Sequence, residues 1–71
     1  MKASIQHKLG ARLKELRTKL KMTQEDLAFA SGIEYKYIQR IEGKTPPAIR
    51  IDTVERLAKA LNTTPSDLLD F

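Results

Sequence analysis

The sequence predicts an all-α domain, a compact bundle of about five short helices, on three observations. Apolar residues recur at spacings of three and four in successive stretches, the signature of helices with one inward face. No stretch reads as a strand. Gly32, Gly43, the prolines and capping residues fall between the stretches, where helices must stop and start. At 71 residues the chain is expected to form one domain, residues 1–71, close to the lower limit for a self-sufficient core.

In the first segment Ile5, Leu9, Leu13, Leu16 and Leu20 form the apolar stripe, which ends near Lys21. Thr23 is placed to cap a second helix, with Glu25 and Asp26 in its first turn. Leu27, Ala28 and Ala30 are expected to face inward, and Gly32 to end that helix in a left-handed conformation. A third helix runs from about Glu34 to Glu42 and stops at Gly43. The following KTPPAIR segment is kept out of helix by its paired prolines. Asp52 with Glu55 three residues on reads as a capping box for a fourth helix, with Val54, Leu57, Ala58 and Leu61 inward. Thr64, Pro65 and Asp67 start a short fifth helix that ends in Leu68, Leu69 and Phe71.

Composition bounds the chemistry. Cysteine is absent, which removes disulfides and thiolate metal sites and fits a cytoplasmic location. No apolar run approaches the roughly 18 residues of a membrane span, so no membrane partner is expected. The net charge is +4, but it is unevenly spread. Met1–Met22 carries seven Lys/Arg against one acid, whereas Thr23–Glu42 carries two against four. A basic first helix suits a polyanionic partner. His7 is the only histidine. It lies in a surface helix and reads as solvated. With no acid pair placed for general acid–base work, neither an enzyme nor a cofactor, metal or small-molecule ligand is expected.

The segment from about 23 to 42 carries most of the functional information. Two short helices joined by a glycine turn are how a small protein inserts a helix into the DNA major groove. On a helical wheel, Ile38 and Ile41 set the inward direction of the third helix. Lys36, Gln39 and Arg40 then fall on the opposite face, flanked by Tyr35 and Tyr37. Lys36 and Arg40 match guanine acceptors, Gln39 suits adenine, and the tyrosines suit phosphates or thymine methyls. Glu42 points toward the core instead. Arg17 falls at the edge of the first helix's stripe, so a buried bidentate Arg17–Glu42 pair joining the two helices is expected.

Four stretches resemble the Cro and phage-repressor class of helix-turn-helix regulators, the xenobiotic-response-element family. They are LGARLKELR at 9–17, MTQEDLA at 22–28, SGI…YIQRIEGK at 31–44 and IDTVERLAKALNTTPSDLL at 51–69. The resemblance covers nearly the whole chain and implies a lambda-repressor-like helical bundle. It implies base reading by Tyr35, Lys36 and Arg40, with Gln39 beside them. It further implies DNA-backbone contacts from Thr23 and Gln24 at the second helix, from Tyr37, and from Lys44 just past the third. The family's arginine–glutamate pair maps to Arg17 and Glu42. Three features depart from the pattern. Lys21 replaces a glycine, Glu34 replaces the usual cap of the third helix, and the loop after Glu42 is one residue tighter.

The expected function is therefore a sequence-specific double-stranded DNA-binding regulator, pairing as a homodimer on a palindromic operator. Ile49, Leu69 and Phe71 are the expected dimer surface, being more apolar than a monomer surface needs. The chain is similar in size to stand-alone controller proteins of restriction–modification operons and to small phage repressors. An antitoxin-like module that neutralises a protein partner and autoregulates its operon is the alternative.

Overall fold

The computed structural model describes residues 4–71. Met1–Ala3, counted in the expected domain, lie outside the described residues. Five helices occur in the order α1 (Ile5–Lys19), α2 (Gln24–Ser31), α3 (Tyr35–Ile41), α4 (Ile51–Ala60) and α5 (Pro65–Leu68), with no strand among the described residues. Helix α2 packs on α3 and α4, α1 packs on α3 and α5, and α4 packs on α5. The core they enclose contains Leu9, Leu13, Leu27, Ile33, Ile38, Ile41, Val54, Leu57, Ala58, Leu61 and Leu68.

The helix starts follow from local hydrogen bonding. Ser4 Oγ accepts the His7 N–H at the head of α1 (3.2 Å). At α2, Thr23 Oγ1 accepts the Asp26 N–H (3.0 Å) while the Asp26 carboxylate accepts the Thr23 N–H (2.8 Å). These two bonds close a reciprocal capping box, and the Thr23 N–H donating to the carboxylate holds the Asp26 carboxyl below its ordinary pKa. Thr64 caps α5 through the Asp67 N–H, with Pro65 in the first turn. The box expected from Asp52 and Glu55 does not form. Helix α4 begins earlier, at Ile51, with Arg50 extended at its cap and no side-chain capping bond. Asp52 therefore sits inside the first turn, where its carboxylate accepts from the Thr53 N–H and faces Arg50 across 3.2 Å. Helix α3 starts after Glu34 without a side-chain cap.

Helices α1, α2 and α4 end through a left-handed residue. Gly32 terminates α2 at φ 70°. Lys21 (φ 58°) and Asn62 (φ 56°) follow α1 and α4 in the same conformation. At both, the next residue's N–H reaches back five positions, Met22 to Arg17 and Thr63 to Ala58. Each is a Schellman closure of the helix. Asparagine tolerates this region; lysine is strained there because its Cβ crowds the following carbonyl.

Two expectations about burial change. Ile5 is 66% exposed and Leu20 is 49% exposed, so the buried line of α1 is Leu9, Leu13 and Arg17 with Gly10 beside it. At 1.5 Å per residue α1 is about 22 Å long, while its partner α3 is only about 10 Å. The ends of α1 overhang. Ala30 is also exposed, because Leu27 and Ser31 occupy the inward line of α2.

Candidate nucleic-acid interface

Helix α3 is fixed to the core on one side and bare on the other. Ile38 and Ile41 are completely buried, whereas Lys36, Gln39 and Arg40 are exposed and Tyr35 is 41% exposed. Among the described residues, no hydrogen bond or ion pair ties the side chains of Lys36, Gln39 or Arg40 to the rest of the molecule. Lys36, Gln39, Arg40, Gly43, Lys44 and Thr45 line an open concavity of about 470 Å³. The structure thus gathers Lys44 with three of the expected base readers around one hollow bearing three cations. Tyr37 is set apart. It is half-buried against the core, and its hydroxyl donates a long bond (3.5 Å) to the Ala48 carbonyl.

The far end of α3 is held by a buried ionic network. Arg17 Nε donates to Glu42 Oε2 (2.9 Å), Arg17 Nη2 donates to Glu42 Oε1 (2.8 Å), and Arg17 Nη1 donates to the Met22 carbonyl (2.8 Å). The two side chains are 10% and 4% exposed. The Glu42 hydrogen bonds raise the Arg17 pKa above its ordinary value. Glu42 Oε1 also accepts from Gln24 Nε2 (3.1 Å). One carboxylate therefore receives donors from α1 and α2 at the end of α3, and its low-dielectric surroundings are compensated. Gln24 is half-buried and spends one amide hydrogen on this network; the Thr23 hydroxyl is engaged in its cap.

A backbone approach reinforces the network. A side chain at Gly10 would overlap the carbonyl oxygen of Ile41, so α1 meets the last turn of α3 at a distance that only glycine allows. Sequence reading passed over Gly10, although an isolated glycine within a helical stripe is a signal of close packing. His7 is exposed, as expected of a surface histidine. It also joins α1 to the loop after α3, its ring reaching the Lys44 carbonyl (2.6 Å). Phe29, 92% exposed on the outer face of α2, has no packing role.

The expected dimer residues separate into two places. Ile49 and Leu69 border an apolar groove of about 290 Å³ together with Ile5 and Ile51, while Phe71 lies over a different depression beside Lys8 and Arg12. Ile51 is 77% exposed, so Ile5 and Ile51 enlarge the apolar surface beyond the residues named from sequence. Among the described residues no helix is long and apolar enough to cross a membrane, and no three His, Cys, Asp or Glu residues cluster as metal ligands.

Residues 12–71 match the family model of the Cro/C1-type HTH DNA-binding domain. The chain is 40% identical over 63 residues to the control protein C.BamHI of Bacillus amyloliquefaciens, covering 87% of this chain and 76% of that protein. The fold is similar to the restriction–modification controller protein C.AhdI of Aeromonas hydrophila, with a TM-score of 0.83 at 36% identity over 89% of this chain and 94% of that one. It is also similar to the controller protein C.Esp1396I in a nucleoprotein complex, with a TM-score of 0.84 at 28% identity over 94% of this chain and 86% of that one. Family model, relatives and fold agree with the bare polar face of α3, and the chain belongs to the Cro/C1-type helix-turn-helix DNA-binding domain family.

Proposed function

We propose that the protein is a sequence-specific transcriptional regulator of the restriction–modification controller type, a cytoplasmic protein that binds a palindromic duplex as a homodimer. The observation that carries this reading is the α3 face. Lys36, Gln39 and Arg40 stand free on a helix whose inner side is anchored by Ile38, Ile41 and the Arg17–Glu42 pair. Rigid backbone with unengaged donors is what direct reading of base edges requires. Tyr35 borders the reading face. Lys44 and the second amide hydrogen of Gln24 serve the phosphates, with Thr23 fixing the start of α2 and Tyr37 bracing the loop. The likeness to C.BamHI and C.AhdI supports the controller role.

Dimerisation is supported by the apolar groove between Ile5, Ile49, Ile51 and Leu69, which a second copy would cover. Two-fold pairing sets the recognition helices about 34 Å apart on one DNA face. Selection of bound duplexes from a random pool at fixed salt tests the proposal. A palindromic consensus is expected; retention without any consensus sinks the claim of sequence reading. Lys36→Ala and Arg40→Ala should each relax preference at one position per half-site, costing about 1–3 kcal/mol there, when the selection is repeated with the variants.

A further inference from the structure

His7 connects two parts of the molecule that are distant in sequence. Its Nε2 lies 2.6 Å from the Lys44 carbonyl oxygen and its Nδ1 lies 2.7 Å from Ser4 Oγ. A carbonyl only accepts, so Nε2 carries a proton and donates it. In the neutral ring Nδ1 is then the acceptor, and the Ser4 hydroxyl donates to it. Ser4 Oγ meanwhile accepts the His7 N–H, so the residue that caps α1 also orients the imidazole. The ring is held at both nitrogens, and its direction is set before it reaches the loop.

His7 meets the first part of the loop, ahead of the half-buried Pro46, Pro47 and Ile49. Gly43, Lys44 and Thr45 are exposed and form one wall of the cationic hollow beside α3. The Gly43 N–H bonds back to the Arg40 carbonyl, the last backbone bond of the α3 end. Beyond that point two side-chain bonds tie the loop's backbone to other elements among the described residues, His7 to the Lys44 carbonyl (2.6 Å) and the longer bond of Tyr37 to the Ala48 carbonyl (3.5 Å), and only the first acts at Lys44. A lysine ammonium on a four-carbon stem gains little from a phosphate unless the backbone beneath it is fixed.

We infer that His7 is a positioning residue for DNA binding, its Nε2–H pinning the Lys44 carbonyl so that the Lys44 ammonium is presented to the phosphate backbone beside the recognition helix. The inference rests on the proposed DNA-binding reading and adds α1 to the elements that shape the interface. Phosphate contacts carry no sequence information, so its effect belongs to affinity for any duplex rather than to base preference.

The experiment titrates fluorescein-labelled random-sequence duplex DNA, at one fixed salt concentration, with wild type, His7→Ala, Lys44→Ala and the double variant. His7→Gln supplies an amide N–H in place of the imidazole donor. His7→Ala should bind roughly threefold to tenfold more weakly than wild type, the range that one net hydrogen bond provides. His7→Gln should recover most of that loss. In the Lys44→Ala background, His7→Ala should cost less than about twofold, because the group it positions is already gone. Melting curves of each variant identify the fraction folded at the titration temperature, and affinities are compared per folded protein. Wild-type affinity in His7→Ala, or the same fractional loss with and without Lys44, overturns the inference while leaving the DNA-binding reading intact. Wild-type affinity in Lys44→Ala removes the backbone contact itself, and the inference falls with it.

Discussion

Glu42 is the residue on which the architecture converges. Its carboxylate is 4% exposed and receives two donors from Arg17 and one from Gln24, so its charge is tolerable only while those donors stay. Glu42→Ala leaves the Arg17 guanidinium buried with only the Met22 carbonyl as acceptor. Breaking a buried pair in this way costs about 3–5 kcal/mol, against roughly 4–10 kcal/mol for a domain of this size. Urea titration should show a much lower midpoint; a midpoint equal to wild type would mean that the pair contributes no stability. This pair was legible in the sequence because Arg17 lies on α1 and Glu42 caps α3 in helical conformation, so the wheels give each side chain a direction. Gly10 and His7 were not legible in the same way. Their partners are backbone carbonyls near the end of α3, and no side-chain pattern announces where a distant carbonyl will stand.

At the scale of the helices, the caps decide where each element begins and ends, and two of them make measurable claims. Lys21 sits at φ 58° in the Schellman turn after α1. Lys21→Gly should relieve roughly 1–2 kcal/mol of left-handed strain while adding about 0.5–1 kcal/mol of unfolded-state entropy. The net gain is about 0.5–1 kcal/mol, a rise of several degrees in melting temperature for a chain this short; an unchanged or lower melting temperature would show the turn to be unstrained. Asp26 gives the second claim. Its capping bonds to Thr23 depress its pKa on folding. A depressed folded value means stability that is complete above the unfolded pKa of about 4 and is lost as pH falls through the folded value. Asp26→Asn should therefore be less stable than wild type at neutral pH, with the difference narrowing below about pH 4. A difference that stays constant from pH 7 to pH 2 would exclude the linkage. The α2 and α5 caps could be read directly, since Thr23 and Thr64 precede acids at the right spacing. Asp52 misled because its spacing to Glu55 imitates a box, while the helix had already begun at Ile51 with Arg50 extended at its cap.

For the molecule as a whole, the number and order of helices were readable, but the surface left over was not. How far Ile5 and Leu20 are covered depends on the lengths of the neighbours, and a 15-residue helix against a 7-residue partner leaves its ends bare. The overhang at Ile5, together with Ile51, builds the apolar groove assigned to a second copy. Ile51→Glu should place charge on that surface at little cost to the fold, since Ile51 is 77% exposed. In sedimentation equilibrium the proposed dimer predicts twice 8.1 kDa for wild type and a mass near 8.1 kDa for the variant at the same concentration. A variant that still dimerises would move the interface elsewhere, with the depression under Phe71 as the next place to look. The division between a braced inner face and an unengaged outer one on α3 also bears on how such proteins diverge. Lys36, Gln39 and Arg40 hold nothing together within the described fold. On the proposed reading role, a lineage can exchange them one at a time, and so move to a new operator, without passing through an unfolded ancestor.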